Sequence, residues 1–342
     1  MDSLTQIRLT RELIDIDSTT GREAEAGEFI ARTLEGLGWR VERQPVKDGR
    51  FNVIAATGAP GPPTVVFSTH FDCVPPFFSS GEKDGRLHGR GACDAKGTLV
   101  AQIAAAERLR AAGRTDVGLL FVVGEERGSE GAKTANLTPP GSTFLINGEP
   151  TDNRIAAATR GVYRARLLAT GRAAHSSLPE QGVSAIDKLV DAIVRLRGVD
   201  WPTDPVLGRT FYSIGLIKGG VAPNVISPAA DAELMFRTVG DHAELRRLIE
   251  EAAGDVAAVE DVLVVPPVRL TPVPGADTVV FSFTTDIPFL DRWGAPVLVG
   301  PGSIALAHTA DEYCEIAELQ RAVDIYADLG GKLGVRHRKP DV

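Results

Sequence analysis

The chain has 342 residues, of which 43% are apolar and 24% charged, and its formal net charge is −8. This length suits two domains better than one, and the composition is ordinary for a globular protein with a substantial core. An acidic chain without a basic stretch argues against nucleic acid as the main partner, because phosphate binding needs a concentrated Lys/Arg surface. The single basic cluster, Arg336, Arg338 and Lys339, stands at the end of the chain and is interpreted as a solvated tail.

The sequence also predicts a cytoplasmic protein without a membrane segment. Charged residues interrupt every apolar run near the N-terminus, so the apolar core of a secretory signal is missing. The apolar run 118–124 is too short to span a bilayer. Cys73, Cys93 and Cys314 cannot all pair and no CxxC spacing occurs, which indicates a reducing compartment.

The first 150 residues alternate between helical and β-type patterns. Helices are predicted over 3–37, with a break at 19–21, and over 98–112, and buried strands over 52–56, 64–68, 117–123 and 142–146. Short continuous apolar strands separated by helices are typical of a mostly parallel sheet with flanking helices. The fold class predicted for this part is therefore α/β.

A different order follows over residues 160–267. The patterns predict strand 162–170, helix 183–196, strands 210–217 and 230–238, helix 242–253 and strand 259–265. This β-α-β-β-α-β order is typical of a ferredoxin-like α+β domain. A strand over 296–300 and a helix over 315–333 follow it. We therefore predict an α/β domain in two segments, 1–158 and 269–342, with domain 159–268 inserted between them.

Histidines and carboxylates follow the strands predicted in the α/β domain. His70 ends one strand and Asp72 comes just after it, at the sheet edge where open α/β folds bind ligands. An Asp two residues after a histidine can accept the second imidazole N–H and so orient the ring. Asp94 lies in a Gly-rich turn before a helix, where it is either an N-terminal cap or a carboxylate that bridges two cations.

Glu125 and Glu126 follow the strand 117–123 directly. Two adjacent carboxylates are either solvated loop acids or a pair stabilised by bound cations, with one acting as ligand and the other as general base. Glu149 and His308 each follow another predicted strand, and either one alone could be a capping or surface residue. Together these side chains make a mixed nitrogen and oxygen ligand set that suits two zinc ions bridged by a carboxylate.

The chain resembles the family of dinuclear zinc peptidases and deacylases, which includes acetylornithine deacetylase, succinyl-diaminopimelate desuccinylase, aminoacylases and glutamate carboxypeptidases of the carboxypeptidase G type. The resemblance spans nearly the whole chain and rests on the motifs STHFDCVPP, GRGACDAKG, GEERGSEGAK, NGEPT, GRAAHSSLPEQGVSAI, APNVISPAADAELMFRT and GPGSIALAHTADE. Cys73 and Ala95 depart from the family pattern, in which larger apolar residues are commoner at these positions.

The resemblance implies two Zn²⁺ ions per chain, with Co²⁺ or Mn²⁺ as alternatives. The implied ligands are His70 and Glu149 for one ion, Glu126 and His308 for the other, and Asp94 as the bridge between them. The resemblance further implies that Asp72 orients His70 and that Glu125 is the general base.

The resemblance also assigns roles to the inserted domain. It implies a homodimer formed through this domain, with His175 as an oxyanion donor to the partner's site and Asn224 and Arg237 as substrate-binding residues. A planar guanidinium suits a substrate α-carboxylate. From the residues alone, His175 can equally be a loop histidine, and Arg237 can be a surface arginine paired with Asp231 or Asp241.

The predicted activity is hydrolysis of the amide bond of a small N-acylated amino acid. Glu149 in place of Asp resembles the deacylase and carboxypeptidase branch of the family more than its aminopeptidase and dipeptidase branch. The short chain and the motifs GEPT and AHTADE most resemble N-acetyl-ornithine, N-acetyl-citrulline and N-acetyl-lysine deacetylases, so the resemblance implies such a deacetylase of amino-acid biosynthesis. Desuccinylation of succinyl-diaminopimelate and carboxypeptidase action on short peptides are the alternatives. A non-catalytic ligand-binding relative is disfavoured because binding alone needs no base. A structural zinc site is disfavoured because a thiolate-rich ligand set is missing.

Overall fold

The computed structural model describes residues 1–335, so the basic cluster interpreted as a solvated tail lies outside the described residues. The chain forms two compact units. The second unit comprises Ala158–Arg269 and Val280–Thr284, and the first comprises the rest of the described chain. The sequence had placed Val280–Thr284 in the second segment of the α/β domain. These residues belong to the second unit instead, where the backbone N–H of Arg160 donates to the carbonyl of Phe281 (2.9 Å).

The first unit begins with two helices and continues through most of its strands before the chain enters the second unit. Its elements up to that point are α1 (Ser3–Ile14), α2 (Ala24–Gly36), β1 (Arg40–Lys47), β2 (Arg50–Ala56), β3 (Val65–His70), β4 (Gly81–Lys83), β5 (Arg86–His88), α3 (Lys96–Ala111), β6 (Val117–Val122), α4 (Glu130–Ala135) and β7 (Phe144–Asn147). Helix α1 begins after Asp2, whose side chain accepts a hydrogen bond from the N–H of Thr5 (2.8 Å). The sequence did not predict β1, β4, β5 or α4.

The second unit is a sheet covered by two helices. From the junction onward the elements are β8 (Ile155–Thr159), β9 (Gly161–Thr170), α5 (Ala185–Leu196), β10 (Thr203–Asp204), β11 (Gly208–Arg209), β12 (Phe211–Gly219), β13 (Ala229–Thr238), α6 (His242–Ala253), β14 (Ala258–Val265), β15 (Val268–Arg269) and β16 (Thr278–Phe281). Its four long strands are antiparallel and lie in the order β12-β13-β9-β14. Helices α5 and α6 pack on this sheet around a core that includes Tyr163, Leu189 and Phe236.

The last elements of the chain are β17 (Ala295–Leu298), β18 (Tyr313–Glu315) and α7 (Ile316–Val335). Neither α7 nor any other helix within residues 1–335 is both long and apolar enough to cross a membrane. Strand β17 completes the sheet of the first unit, whose order is β1-β2-β6-β3-β7-β17.

This six-stranded sheet is mixed, which corrects the prediction of a mostly parallel sheet. The pairs β6/β3, β3/β7 and β7/β17 are parallel, whereas β1/β2 and β2/β6 are antiparallel. The hairpin of β1 and β2 was missed because β1, RVERQPVK, is an edge strand with alternating exposed polar residues. It therefore lacks the continuous apolar run that marks the central strands.

The parallel strands bring the candidate residues to one edge of the sheet. His70 ends β3, and the loops that carry Glu125, Glu149 and His308 follow β6, β7 and β17. The carboxyl ends of parallel strands meet at the same edge, where α/β folds place their ligand sites. Helix α3, which is buried throughout Lys96–Ala106, packs beside β3 and against α1 and α7.

Candidate metal centre

His70, Asp94 and Glu149 form one cluster at this edge. His70 Nε2 lies 3.1 Å from Asp94 Oδ1 and 3.7 Å from Glu149 Oε2, and all three side chains are buried. The other oxygen of Glu149, Oε1, is buried without a hydrogen-bond partner among the described residues. Since a buried polar atom needs a partner, a carboxylate oxygen left free beside an imidazole nitrogen fits a metal ion.

Asp94, Glu126 and His308 form a second cluster, so that Asp94 belongs to both. His308 Nε2 lies 2.9 Å from Glu126 Oε1 and 3.2 Å from Asp94 Oδ2. Asp94 therefore turns one oxygen toward each histidine. Within each cluster the candidate ligand atoms all lie within 4.8 Å of one another. His308 has a φ of +66°, a backbone conformation that is uncommon outside glycine and that clusters at functional sites.

Crowding of buried carboxylates perturbs the acidity of these groups. Burial raises the pKa of Glu149 to about 8, although the charge of His70 acts against the rise. Burial also raises the pKa of Glu126. Hydrogen bonds to Asp94 and Glu126 raise the pKa of His308 to about 10. Bound cations would take the place of these protons and neutralise the carboxylates, and imidazole and carboxylate donors suit Zn²⁺, Co²⁺ and Mn²⁺.

Asp72 holds the loop after β6 as well as the ring of His70. His70 Nδ1 lies 3.0 Å from the backbone carbonyl oxygen of Asp72 and 3.4 Å from the carboxylate oxygen Oδ1 of the same residue. The carbonyl is therefore the closer partner of the ring. The carboxylate accepts hydrogen bonds from the backbone N–H groups of Glu125 (3.0 Å) and Glu126 (3.2 Å) and from Thr20 Oγ1 (2.9 Å). The carboxylate thus contacts the turn after β6 and Thr20 and also lies near the ring of His70, and its role in orienting that ring stays a prediction.

Glu125 begins a 3-10 turn between Gly124 and Gly128, whose φ values of +75° and +109° favour glycine. Its side chain belongs to neither ligand cluster found within residues 1–335. Burial raises the pKa of Glu125 well above its usual range, with a further rise from Asp286 and an opposing effect of His70. A carboxyl group that lies near the candidate metal ligands without being one of them, and whose pKa is raised, suits the role of a general base.

Two buried acids close to these clusters were not predicted. Asp286 is 1% exposed and neither of its carboxylate oxygens forms a hydrogen bond of normal geometry within residues 1–335, although Ser129 is near enough to lower its pKa. Burial raises the pKa of Asp286 to about 7. An isolated acid within the apolar stretch FSFTTDIPFL was the available signal for it. Glu312 is 0% exposed, and its position four residues after His308 in one motif was the signal there.

The predicted substrate-binding residues lie in the second unit. His175 and Asn224 are exposed and lie on neighbouring segments, where the N–H of Ser176 donates to the carbonyl of Asn224 (3.0 Å). His175 Nδ1 lies 2.7 Å from Ser177 Oγ. Both residues are therefore accessible from solvent within the second unit.

Arg237 lies in β13 and is partly buried, which lowers the pKa of its guanidinium. Asp231 pairs with Arg166 (3.2 Å), and within the described chain no carboxylate lies within ion-pairing distance of Arg237. The alternative pairings of Arg237 with Asp231 or Asp241 are therefore not formed. An arginine without a protein partner keeps its full donor set for a ligand.

Comparison with known sequences finds close relatives over most of the chain. A family model described as "Peptidase family M20/M25/M40" matches residues 66–330. A peptidase M20 domain-containing protein from Schizosaccharomyces pombe is 37% identical over 330 residues, which cover 94% of this chain and 82% of the relative. A probable carboxypeptidase from Aspergillus terreus is 37% identical over 364 residues, which cover 93% of this chain and 84% of the relative.

Solved structures share the fold at low sequence identity. Aminopeptidase PepT from Bacillus cereus has a TM-score of 0.82 and 20% identity, covering 98% of this chain and 99% of its own. The M20 family metallo-carboxypeptidase Sso-CP2 from Sulfolobus solfataricus has a TM-score of 0.79 and 17% identity, covering 98% and 100%. The Bacillus subtilis protein YXEP, described as a dinuclear metal binding peptidase from the M20 family, has a TM-score of 0.72 and 18% identity, covering 97% and 98%.

These findings confirm the predicted family at the level of the M20 metallopeptidases, and the narrower likeness to acetylornithine-type deacetylases stays a prediction. The family model covers more than half of the chain, and each alignment with a sequence relative covers most of this chain and most of the relative. The two ligand clusters found within residues 1–335 supply imidazole and carboxylate donors of the kind that suit a metal ion. The chain therefore belongs to the M20/M25/M40 peptidase family and is a hydrolase of that family.

Proposed function

We propose that this protein hydrolyses the amide bond between an acyl group and an amino acid that carries a free α-carboxylate. This bond occurs both in N-acyl amino acids and before the C-terminal residue of short peptides. The observation that carries the proposal is the pair of ligand clusters sharing Asp94, with Glu125 beside them. A protein that only binds its ligand would not need such a base.

The chemistry is divided among residues of the first unit. Two ions, proposed to be Zn²⁺ with Co²⁺ or Mn²⁺ as alternatives, would lower the pKa of the attacking water and polarise the substrate carbonyl. The residues proposed to hold them are His70, Asp94, Glu126, Glu149 and His308. Glu125 accepts the proton of the water and returns it to the leaving amine. Asp72 keeps Glu125 in place through the hydrogen bond to its backbone N–H.

Arg237 is the proposed partner of the substrate α-carboxylate. Its guanidinium is partly buried and has no carboxylate partner among the described residues, and a planar fork of donors matches a carboxylate. By family resemblance, His175 is proposed as an oxyanion donor and Asn224 as a further substrate contact. The exposure of both side chains supports roles in binding.

Three acyl groups are candidates for the substrate. The motifs around Glu149 and His308 favour an acetyl group, as in N-acetyl-ornithine, N-acetyl-citrulline or N-acetyl-lysine, and hence a deacetylase of arginine or lysine biosynthesis. The names of similar proteins, a probable carboxypeptidase and a metallo-carboxypeptidase, favour a peptidyl group instead. Desuccinylation of succinyl-diaminopimelate is a further alternative. All of these substrates carry the same scissile amide next to a free carboxylate.

The chain is also proposed to form a homodimer through its second unit. Strand β12 lies at the edge of its sheet, and Phe211, Leu216 and Ile217 on it are 49%, 53% and 59% exposed. Val190 and Val194 on α5 are exposed as well. An exposed edge strand with apolar side chains offers unpaired backbone groups and apolar area to a second copy.

The cytoplasm is the proposed compartment. Cys73, Cys93 and Cys314 are unpaired and buried. Burial raises the pKa of each of these thiols, so that little reactive thiolate forms. Unpaired thiols are usual in proteins of a reducing compartment.

Release of primary amine, detected with ninhydrin, tests the activity. Zinc-loaded protein is incubated with the three N-acetyl amino acids, succinyl-diaminopimelate and N-blocked dipeptides. Turnover of an acetylated substrate that a chelator abolishes and zinc restores would support the deacetylase. Release of the C-terminal residue from an N-blocked dipeptide would support the carboxypeptidase. Protein that binds two ions and cleaves none of these substrates would contradict the proposal.

A further inference from the structure

Glu312 is a buried acid whose hydrogen bonds converge on the loop that carries the bridging ligand. Its Oε1 accepts hydrogen bonds from the backbone N–H groups of Gly91 (3.0 Å), Cys93 (3.2 Å) and Asp94 (3.2 Å). Its Oε2 accepts from Arg90 Nη1 at 2.6 Å, and both members of this ion pair are nearly inaccessible to solvent. The loop therefore wraps around the carboxylate, as backbone N–H groups do around a bound anion.

A short strand pair brings Glu312 into this loop. Tyr313, the first residue of β18, lies opposite His88, the last residue of β5. Glu312, just before β18, and Gly89, just after β5, are therefore neighbours. The backbone N–H of Gly89 then donates to the carbonyl of Glu312 (3.1 Å). The backbone and the side chain of Glu312 are thus both bonded to the segment that leads to Asp94.

The same acid is close in sequence to another candidate ligand. His308 precedes Glu312 by four residues, and its Nε2 lies 3.2 Å from Asp94 Oδ2. Asp94 and the segment 308–312 are thus linked twice. The Asp94 carboxylate contacts His308, and the Asp94 N–H donates to the side chain of Glu312. A displacement of the Glu312 carboxylate would consequently change the distance between two ligands of one ion.

We infer that Glu312 is a positioning residue, which sets the bridging carboxylate of Asp94 and the imidazole of His308 at the spacing that the second ion requires. This inference rests on the metal centre of the proposed function, but not on the identity of the acyl group. Groups that hydrogen-bond metal ligands commonly control affinity in this way, and their loss costs about 10–100-fold in metal affinity or activity. The ion held by Glu126 and His308 depends on both tethered ligands, whereas the ion held by His70 and Glu149 shares only Asp94.

The test is a titration of the full-length Glu312→Gln variant with Co²⁺. Calorimetry and the visible absorption of the bound ions measure the affinity for each ion. We expect the affinity for one ion to fall about 10–100-fold while that for the other changes less than about threefold. The matched control is Glu315→Gln on the adjoining strand β18, where Glu315 forms a part-exposed pair with Arg86 (2.8 Å). This control should bind both ions as the wild type does.

Two results would overturn the inference. The first is wild-type affinity and absorption for both ions in Glu312→Gln. The second is an equal loss for both ions together with a lower melting temperature of the metal-free protein, which is the mark of a general structural role. If Glu312→Gln does not fold, Glu312→Asp decides, because it keeps the charge beside Arg90 and shortens only the reach to the loop. Because no substrate is used, inactivity of the wild type toward every amide would leave this result unaffected.

Discussion

Glu125 differs from Asp94, Glu126 and Glu149 because no metal-ligand cluster within the described residues includes it. Replacement of Glu125 by Gln should therefore leave metal binding intact and remove only the proton acceptor. We expect kcat to fall by about 10²–10⁴-fold, the usual contribution of a general base, while two ions stay bound. Amine release and metal analysis on the same preparation measure both quantities.

The control for Glu125→Gln is Glu12→Gln. Glu12 lies on the exposed side of α1, where its only described ion pair is a 3.9 Å contact with Arg8, and its replacement should leave kcat unchanged. Glu125→Gln protein that keeps near-normal turnover would exclude Glu125 as the base. Protein that loses an ion would show that Glu125 is a ligand.

Asp286 makes the stability of the metal-free protein depend on pH. Its pKa rises on folding from the usual 3.8 to about 7, so the folded state holds this proton more tightly than the unfolded state does. Between about pH 4 and about pH 7, Asp286 is ionised in the unfolded chain but protonated in the folded protein. The free energy of unfolding therefore falls as the pH rises through this range, and it levels off above about pH 7. Asp286→Asn should remove this penalty, and at pH 8 its gain should be at most about 4 kcal/mol.

Urea unfolding of chelator-treated protein at pH 5 and pH 8 checks this prediction. The stability gained by Asp286→Asn should be larger at pH 8 than at pH 5. Asp328→Asn serves as the control, because Asp328 is exposed on α7 and pairs with Lys332 there. An equal difference at both pH values would mean that Asp286 does not carry the charge that burial opposes.

At the scale of elements, the first turn of α3 is tied closely to the loop that carries Asp94. A Cβ added at Gly97 would lie 2.3 Å from the carbonyl oxygen of Ala92 and 2.8 Å from Leu319 Cδ2. Gly97→Ala therefore forces the loop backbone to move, and we expect a loss of about 1–3 kcal/mol in the free energy of unfolding. Gly36→Ala, at the end of α2 with no atom within 4 Å, should instead be neutral or stabilise by up to about 1 kcal/mol.

Urea unfolding of the metal-loaded protein compares the two alanine variants. A weaker affinity for Co²⁺ should accompany the loss in Gly97→Ala and should be absent in Gly36→Ala. Equal stability of the two variants would show that the turn before α3 adapts without strain.

The same scale explains which elements the sequence could reveal. The central strands were predictable because burial on both faces leaves continuous apolar runs, and β3 and β6 are buried at every residue. Edge strand β1 shows no such run, and three-residue strands such as β4, β5 and β18 are too short for a period to appear. The hairpin of β1 and β2 was consequently missed, and so was the pairing of β18 with β5 next to Glu312.

Candidate ligands were predictable for a related reason. His70, Glu126 and Glu149 each end or follow a strong strand, and strand ends in a parallel sheet are neighbours wherever they lie in the chain. Glu312 and Asp286 follow no such rule. The ion pair between Arg90 and Glu312 joins residues 222 positions apart, so only the folded chain reveals it.

At the scale of the whole molecule, the second unit has exposed apolar side chains on strand β12 and helix α5 that nothing within residues 1–335 covers. Isolated exposed apolar residues are normal, but several on one edge strand are typical of an interaction site. A second copy of the chain is the proposed partner, since an edge strand can pair with its own copy about a two-fold axis. Light scattering coupled to size-exclusion chromatography should accordingly give twice the mass of the chain.

Ile217→Lys tests where the copies meet. Ile217 is 59% exposed on β12, and a charge at a dimer interface would lack a partner after burial, so dissociation should increase at least about tenfold. Leu137→Lys is the matched control, because Leu137 is 73% exposed in the first unit and should tolerate the charge. A monomeric wild type, or dimers that lose stability equally in both variants, would contradict an interface on β12. If Ile217→Lys alone gives monomers that keep both ions but lose turnover, catalysis requires the dimer, as expected if His175 acts from a second copy.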